Sequence, residues 1–443
     1  MNRQRGMTMV ELLVSLAIVL LVIGAATTAY VKLLRTYRTQ GKLAESYMAN
    51  LTGLELLRYD IEMAGFGLPA KLGGATYSEA NDTSVPYTPA DLNDSPNPPR
   101  AIAHLDNVGA NSSDVLTIKS SAANLVNSVV TANNYNVAAG KKWTMITNPS
   151  GGAAIIKQWG NNLMDFANND NFIVLDPTGT VMPGSGAWST YSFHTSYYTN
   201  TNSAPFALPQ NTKDVYYMYG IDNATSGGHI MPFNRVDYYL DKVTVAGVPV
   251  DFPSSCVKDT YTLYRSTINQ ATNGNQAAGT LNKTPLVDCV KDFQVAFGLD
   301  PSGNNSAAIQ WQANLFQQPY MLGYVANAQM NASQIQQYLR EVRVFLLYQE
   351  GLGTTSASSG QGSSNFAFSG VLNLGDQDIA NSLDPTHYPT VPNNFQQWSP
   401  TALPGTPQLN APGFTPSGLD LPYRWKITEI SVKPMNPYIP NLR

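Results

Sequence analysis

Residues 12–31 constrain this chain more than any other stretch. From Leu12 to Val31 there is no charged residue, and Leu, Ile, Val and Ala dominate. A helix needs about 20 such residues to cross the hydrocarbon core of a bilayer. Arg3 and Arg5 precede the run, which puts the N-terminus in the cytoplasm and everything beyond Lys32 on the far side. Glu11 does not suit an ordinary anchor, because a carboxylate at the mouth of a span is costly in lipid. Two plainer readings accommodate the run: a secretory signal cleaved among the small residues of "IGAATTAY", or an uncleaved signal anchor. Neither gives Glu11 a role.

The rest of the chain reads as an exported β-rich protein. Charged residues make up 13% of 443, about half the usual share. The net charge of −4 offers nothing to a polyanion, so no nucleic-acid partner is expected. The length allows one large ectodomain, or two. Residues 32–64 continue as a helix, with Leu43, Tyr47, Leu51, Leu54 and Ile61 at three- and four-residue steps. Gly65, Gly67 and Pro69 are stop signals. At 1.5 Å per residue the whole helix would run about 80 Å, its first half in membrane or filament core and its second half against a sheet. "SSDVLTIKS", "NFIVLDP", "RVDYYLD", "DTYTLYRS", "PLVDCVKDFQVAFGLD", "LREVRVFLLYQEG" and "YRWKITEISVK" read as strands of a mainly antiparallel sheet. The tyrosine clusters "DVYYMYG" and "VDYYLD" are strands rather than an adhesive or electron-carrying surface.

"RGMTMVELLVSLAIVLLVIG" resembles the N-terminal signal of type IV prepilins and type II secretion pseudopilins. In that family a short basic leader ends in Gly, and Glu is the fifth residue after the cut. The resemblance implies a leader of residues 1–6, cleavage between Gly6 and Met7 by a prepilin peptidase, and N-methylation of Met7. Residues 7–31 become the transmembrane and assembly helix, residues 32–67 its amphipathic second half, and residues 68–443 an extracytoplasmic β-rich pilin head. The fold class implied is α+β. Cleavage creates an ammonium at Met7, four residues before Glu11 and on the same helix face. Acid and amine attract strongly in a low dielectric, and each is expensive alone. Glu11 therefore either reads the amine of a neighbouring subunit during assembly or neutralises its own N-terminus. The span contains no Pro that would kink it.

"LELLRYDIEMAGFG" and several of the strand segments are similar to the PilW family of minor pilins. Residues 70–110, 301–338 and 351–420 show no such likeness, and the last of these, with "GTTSASSGQGSSN", reads as a loop-rich insertion. The resemblance implies a minor type IV pilin involved in pilus assembly and initiation, first in the bacterial inner membrane and then on the surface pilus. Its partners would be other minor pilins, the major pilin, the prepilin peptidase and the inner-membrane assembly platform. A minor pseudopilin of type II secretion, similar to GspJ, is the alternative, followed by a competence or adhesive pilin or a membrane-anchored periplasmic enzyme. A head of about 380 residues has a radius of gyration of about 21 Å and would obstruct subunits stacked above it, which favours the filament tip.

An enzyme is not expected. His104, His194, His229 and His387 lack metal-ligand spacing, and each is placed among loop residues. "DPSGNNSAA" at Asp300 faintly resembles a calcium loop but lacks the alternating acids and terminal Glu, so a hairpin turn is the reading there and calcium the minor alternative. "AAGKKW" is not a P-loop, and no Ser, His and Asp set carries a recognisable context. Cys256 and Cys289 are the only cysteines and lie on the oxidising side, each bordering an expected strand. A disulfide between them is expected, with two buried free thiols as the alternative.

Overall fold

The fold is that of a computed structural model. The structure describes residues 9–123, 141–146, 155–157, 165–183, 188–194, 214–222, 228–245, 248–250, 256–257, 260–272, 276–304, 307, 309–326, 328–350, 372–373, 413–414 and 424–435. Gly6, Met7, His387 and nearly all of 351–420 lie outside them.

Helix α1 is a single element, Met9–Glu62, 54 residues long. No Pro interrupts it, and the chain leaves it through Gly65 and Gly67, whose φ values of 83° and 70° only glycine adopts without strain. Residues 9–34 are exposed throughout. Among the described side chains burial begins at Asn50, and in the last turns and just beyond them Leu54, Leu57, Ile61 and Ala64 are buried. This differs from the expected stripe. Tyr47 and Leu51 are 46% and 49% exposed, because the head begins near Asn50 and the covered face follows 50, 54, 57, 61 and 64. The side chain of Leu43 lies outside the described residues.

The head is built on antiparallel pairs. The main sheet contains β1 (Ile102–Leu105), β2 (Val115–Ser120), β8 (Asn234–Asp241), β11 (Tyr261–Ile268), β12 (Leu281–Leu299), β14 (Leu339–Glu350) and β17 (Arg424–Val432), in the order β1-β2-β8-β11-β12-β14-β17, with β13 (Gln310–Gln312) also on β12. A second sheet runs β4-β3-β7-β5-β6, from β3 (Lys142–Ile146), β4 (Ile155–Lys157), β5 (Asn171–Leu175), β6 (Tyr191–Ser192) and β7 (Val215–Gly220). Two small pairs complete the described strands: β9 (Val243–Val245) with β10 (Val248–Val250), and β15 (Leu372–Asn373) with β16 (Gly413–Phe414). A short helix α2, Ala332–Tyr338, opens on an Asn331 cap and leads directly into β14.

Strand β12 organises the main sheet. Its 19 residues serve two partners. Leu281 to Val290 pair with β11, and Val290 to Leu299 pair with β14. The changeover is marked by register shifts near Val290 and by Cys289, which has a φ of 56°. One hydrophobic core joins the end of α1, the main sheet and the inner residues Ile173 and Leu175 of the second sheet. The opposite face of the second sheet has its own aromatic cluster of Trp143, Phe166, Phe172 and Phe193. Trp143 stands edge-on to Phe166 and Phe193, with ring centroids 4.8 and 5.1 Å away.

The segment between α1 and β1 has almost no regular structure and is fastened by charge. Lys119 of β2 is fully buried, with Nζ 2.6 Å from Glu79 and 2.5 Å from Asp94. Arg235 of β8 meets Glu79 at 3.1 Å and chelates Asp237 with two bonds of 2.9 Å. Arg100 closes on Asp94 at 2.5 Å. Three cations thus face three carboxylates, and Tyr87 and Thr117 donate to the Asp237 oxygens at 2.7 Å each. Burial works against the Asp94 carboxylate, but Lys119 and Arg100 outweigh it and hold its pKa below the ordinary value.

Candidate assembly site

The apolar and exposed part of α1 is its first half. Met9–Leu34, 26 residues, is long and apolar enough to cross a bilayer. Its serine and threonine hydroxyls are satisfied by the helix itself: Ser15 donates to the Leu12 carbonyl at 2.9 Å, Thr27 to Ile23 at 2.8 Å and Thr28 to Ala25 at 2.8 Å. Such back-bonding removes the cost of a hydroxyl in hydrocarbon. Glu11 sits in the first turn of α1, exposed, as the acid nearest the positive end of the helix dipole.

The second half of the site is the joint between helix and head. Gly53 faces β12 so closely that a Cβ there would lie 2.9 Å from the Leu286 carbonyl oxygen. Below it, Asp60 is 1% exposed and sits on the apolar stripe between Leu57 and Ala64. Arg265 of β11 donates to its carboxylate at 2.7 Å, and Tyr238 of β8 at 2.6 Å. The Arg265 guanidinium also reaches the Ala123 carbonyl. Burial pushes the Asp60 carboxyl up from its ordinary range, against the pull of Arg265 and Tyr238. Burial works against the Arg265 charge, but the Asp60 carboxylate outweighs it and holds the guanidinium pKa above its ordinary value. On the far side of the helix end, Met435 donates its backbone N–H to the Glu62 carbonyl at 2.9 Å. Higher up, the Lys426 ammonium of β17 lies over the Tyr47 ring, 4.8 Å from its centroid. The helix end is therefore held by two central strands and by the chain just after β17.

This is the geometry of an exposed apolar rod whose far end is docked into a β-rich head. The family model for the prokaryotic N-terminal methylation motif matches residues 1–27. No curated protein and no solved structure matches the chain. The chain is type IV pilin- and pseudopilin-like. A prepilin-type methylation motif runs into one long apolar helix, and that helix docks on antiparallel sheets in a pilin-like α+β arrangement. Proteins of this kind are generally structural rather than enzymatic.

The other sequence-derived candidates fall as follows. Cys256 and Cys289 are joined by a disulfide, with Cα atoms 5.1 Å apart, between the approach to β11 and the bulge of β12. Asp300 starts the turn from β12 towards β13. Its carboxylate accepts from the Ser302 N–H at 3.0 Å and lies 3.5 Å from Arg340, so the oxygens cap a turn and meet a cation. Among the described residues no three His, Cys, Asp or Glu side chains converge as metal ligands. The histidine reading needs one correction. His104 is on β1, not in a loop, with Nε2 3.1 Å from Asp114 and its ring against Phe297. His104 alternates with nothing polar along β1, all four of whose residues are buried, so period-2 patterning gave no strand signal there.

Sequence reasoning missed Asp60, Arg265, Tyr238 and Gly53. A signal for Asp60 exists: residues 57, 60, 61 and 64 share a helix face, so an acid at 60 falls within an otherwise apolar stripe and calls for a buried partner.

Proposed function

We propose that this pilin-like chain is a minor type IV pilin of the PilW kind, acting in pilus assembly and initiation at or near the filament tip. The observation that carries this reading is the division of labour along α1. Its exposed apolar half is unstable in water and suits a membrane, then a bundle of like helices, while its last turns are locked into the head. A prepilin peptidase would cut between Gly6 and Met7, and Met7 would be N-methylated. Glu11, at the entrance of the span, would pair with the Met7 amine of a neighbouring subunit, since either charge alone is costly there. The N-terminus would be cytoplasmic before assembly, and the head would lie beyond the inner membrane. Other minor pilins, the major pilin and the assembly platform are the partners this arrangement suits. The bulk of the head favours the tip, where no subunit is stacked above it.

Mass spectrometry of sheared, purified filaments tests the proposal. The expected result is a peptide beginning at N-methylated Met7, at a copy number far below that of the main subunit. A chain that retains its six leader residues, or one present at a stoichiometry near that of the main subunit, would overturn the reading. Absence from filaments, together with loss of secreted enzymes on deletion, would assign the chain to a type II secretion machine instead.

A further inference from the structure

Away from α1, one groove in the head is built from uncharged polar groups and an indole. Its walls are residues 76–78, 188–190 and 228–230, which enclose about 530 Å³. Each wall is pinned to another. The Ser78 N–H donates to the Ile230 carbonyl at 2.8 Å. Trp188 Nε1 donates to the Thr76 carbonyl at 3.1 Å, which fixes the plane of the indole. His229 Nε2 lies 2.7 Å from the Asp222 carbonyl, and its Nδ1 lies 3.0 Å from the Thr190 hydroxyl. A carbonyl only accepts, so Nε2 carries the proton and Nδ1 accepts from Thr190. Burial holds the His229 pKa below its ordinary value, so the ring is a neutral strut with both nitrogens occupied.

The groups left to meet a ligand are the face of the Trp188 ring and three hydroxyls, those of Thr76, Ser78 and Ser189, which have no hydrogen-bond partner among the described residues. No lining residue carries a formal charge. That disfavours phosphates, nucleotides and acidic peptides, which are recognised by Arg, Lys or helix ends. The hydroxyl content disfavours a purely apolar ligand, whose binding would leave those groups dehydrated and unpaired. Hydroxyls that both donate and accept, beside a fixed aromatic plate, match the alternating hydroxyl and C–H faces of a sugar ring. We propose that this groove binds a short neutral saccharide, stacked on Trp188 and hydrogen-bonded to Thr76, Ser78 and Ser189.

The test uses the full chain in phosphatidylcholine nanodiscs, since sugar-based detergents would compete. Maltotriose, cellotriose and chitotriose are the probes, with sialyllactose as a charged control and a Pro-rich peptide as the rival ligand. Saturation-transfer NMR and titration calorimetry read the binding. At least one neutral trisaccharide should bind saturably, and Trp188→Ala should weaken it about tenfold or more, as loss of an aromatic anchor does. Trp188 also packs against the core, so its variant risks the fold. Ser78→Gln, at an exposed position, fills the groove instead and should abolish binding without shifting the unfolding midpoint. No binding of any neutral trisaccharide at about 10 mM, well above the range of weak specific sites, would overturn the proposal. So would binding that survives Ser78→Gln, or preference for the peptide.

Discussion

The joint between helix and head makes a quantitative test possible. Asp60, Arg265 and Tyr238 form a buried set from three different elements, with bonds of 2.7 and 2.6 Å to one carboxylate oxygen. Asp60→Leu leaves a guanidinium that cannot deprotonate, held by the Ala123 carbonyl without a counter-ion. Breaking a buried pair in this way costs about 3–5 kcal/mol. Arg265→Met leaves a carboxyl that can take up a proton, and the expected loss is smaller, about 2–4 kcal/mol. The double variant removes both charges and leaves the Tyr238 hydroxyl and the Ala123 carbonyl without their partners, at about 1–3 kcal/mol in all. The singles should therefore sum to well above the double, with a coupling of at least about 2 kcal/mol. Urea unfolding of the full chain in micelles, followed by tryptophan fluorescence, measures all three. Hydrogen exchange of residues 54–62 should speed up in both singles, because the helix end loses its mount. Singles that each cost under about 1 kcal/mol, or a double equal to their sum, would show that apolar packing alone holds the helix.

Four further outcomes are expected. Glu11→Ala should still insert in the membrane, since removing an acid favours insertion, but should be lost from the filament fraction on immunoblots. Gly53→Ala gains about 1 kcal/mol of helix propensity, yet its Cβ would meet the Leu286 carbonyl at 2.9 Å; a net loss of about 1–2 kcal/mol is expected in the same urea assay. Cys256→Ser with Cys289→Ser opens a loop of 33 residues and should cost about 3–4 kcal/mol, also read by urea unfolding. Asp292 is buried beside Asp114, and burial first, then the Asp114 charge, push its pKa well up. The folded state therefore keeps a proton that the unfolded chain releases near pH 4, and stability falls as pH rises through the folded pKa. Asp292→Asn, which preserves the acceptor used by Phe293 and Gln294, should raise the thermal midpoint at pH 8, with the gain vanishing near pH 4.

What could be read from the sequence follows the range of the forces involved. The apolar run was legible because crossing a bilayer imposes one local condition, an uninterrupted stretch without charge, and α1 meets it from Met9 onward. Strands β2, β8, β11, β12, β14 and β17 were legible because β-branched and aromatic residues crowd into runs bounded by turn residues. The segment from 70 to 100 was not legible. Its place is set by Lys119, 25 residues beyond Asp94, and by Arg235, 156 beyond Glu79, and no local pattern announces that Glu79 and Asp94 have buried cations waiting. The same holds for the two-partner role of β12, since a run of alternating residues does not say where one neighbour gives way to another. Asp60 lies between these cases. Its position on an apolar helix face is a local fact and implies a partner, whereas the identity of that partner, Arg265, is a fact of topology. A buried charge on an amphipathic helix thus marks where the helix joins the rest of the fold, and in this chain it marks where any pull on α1 would pass into the head.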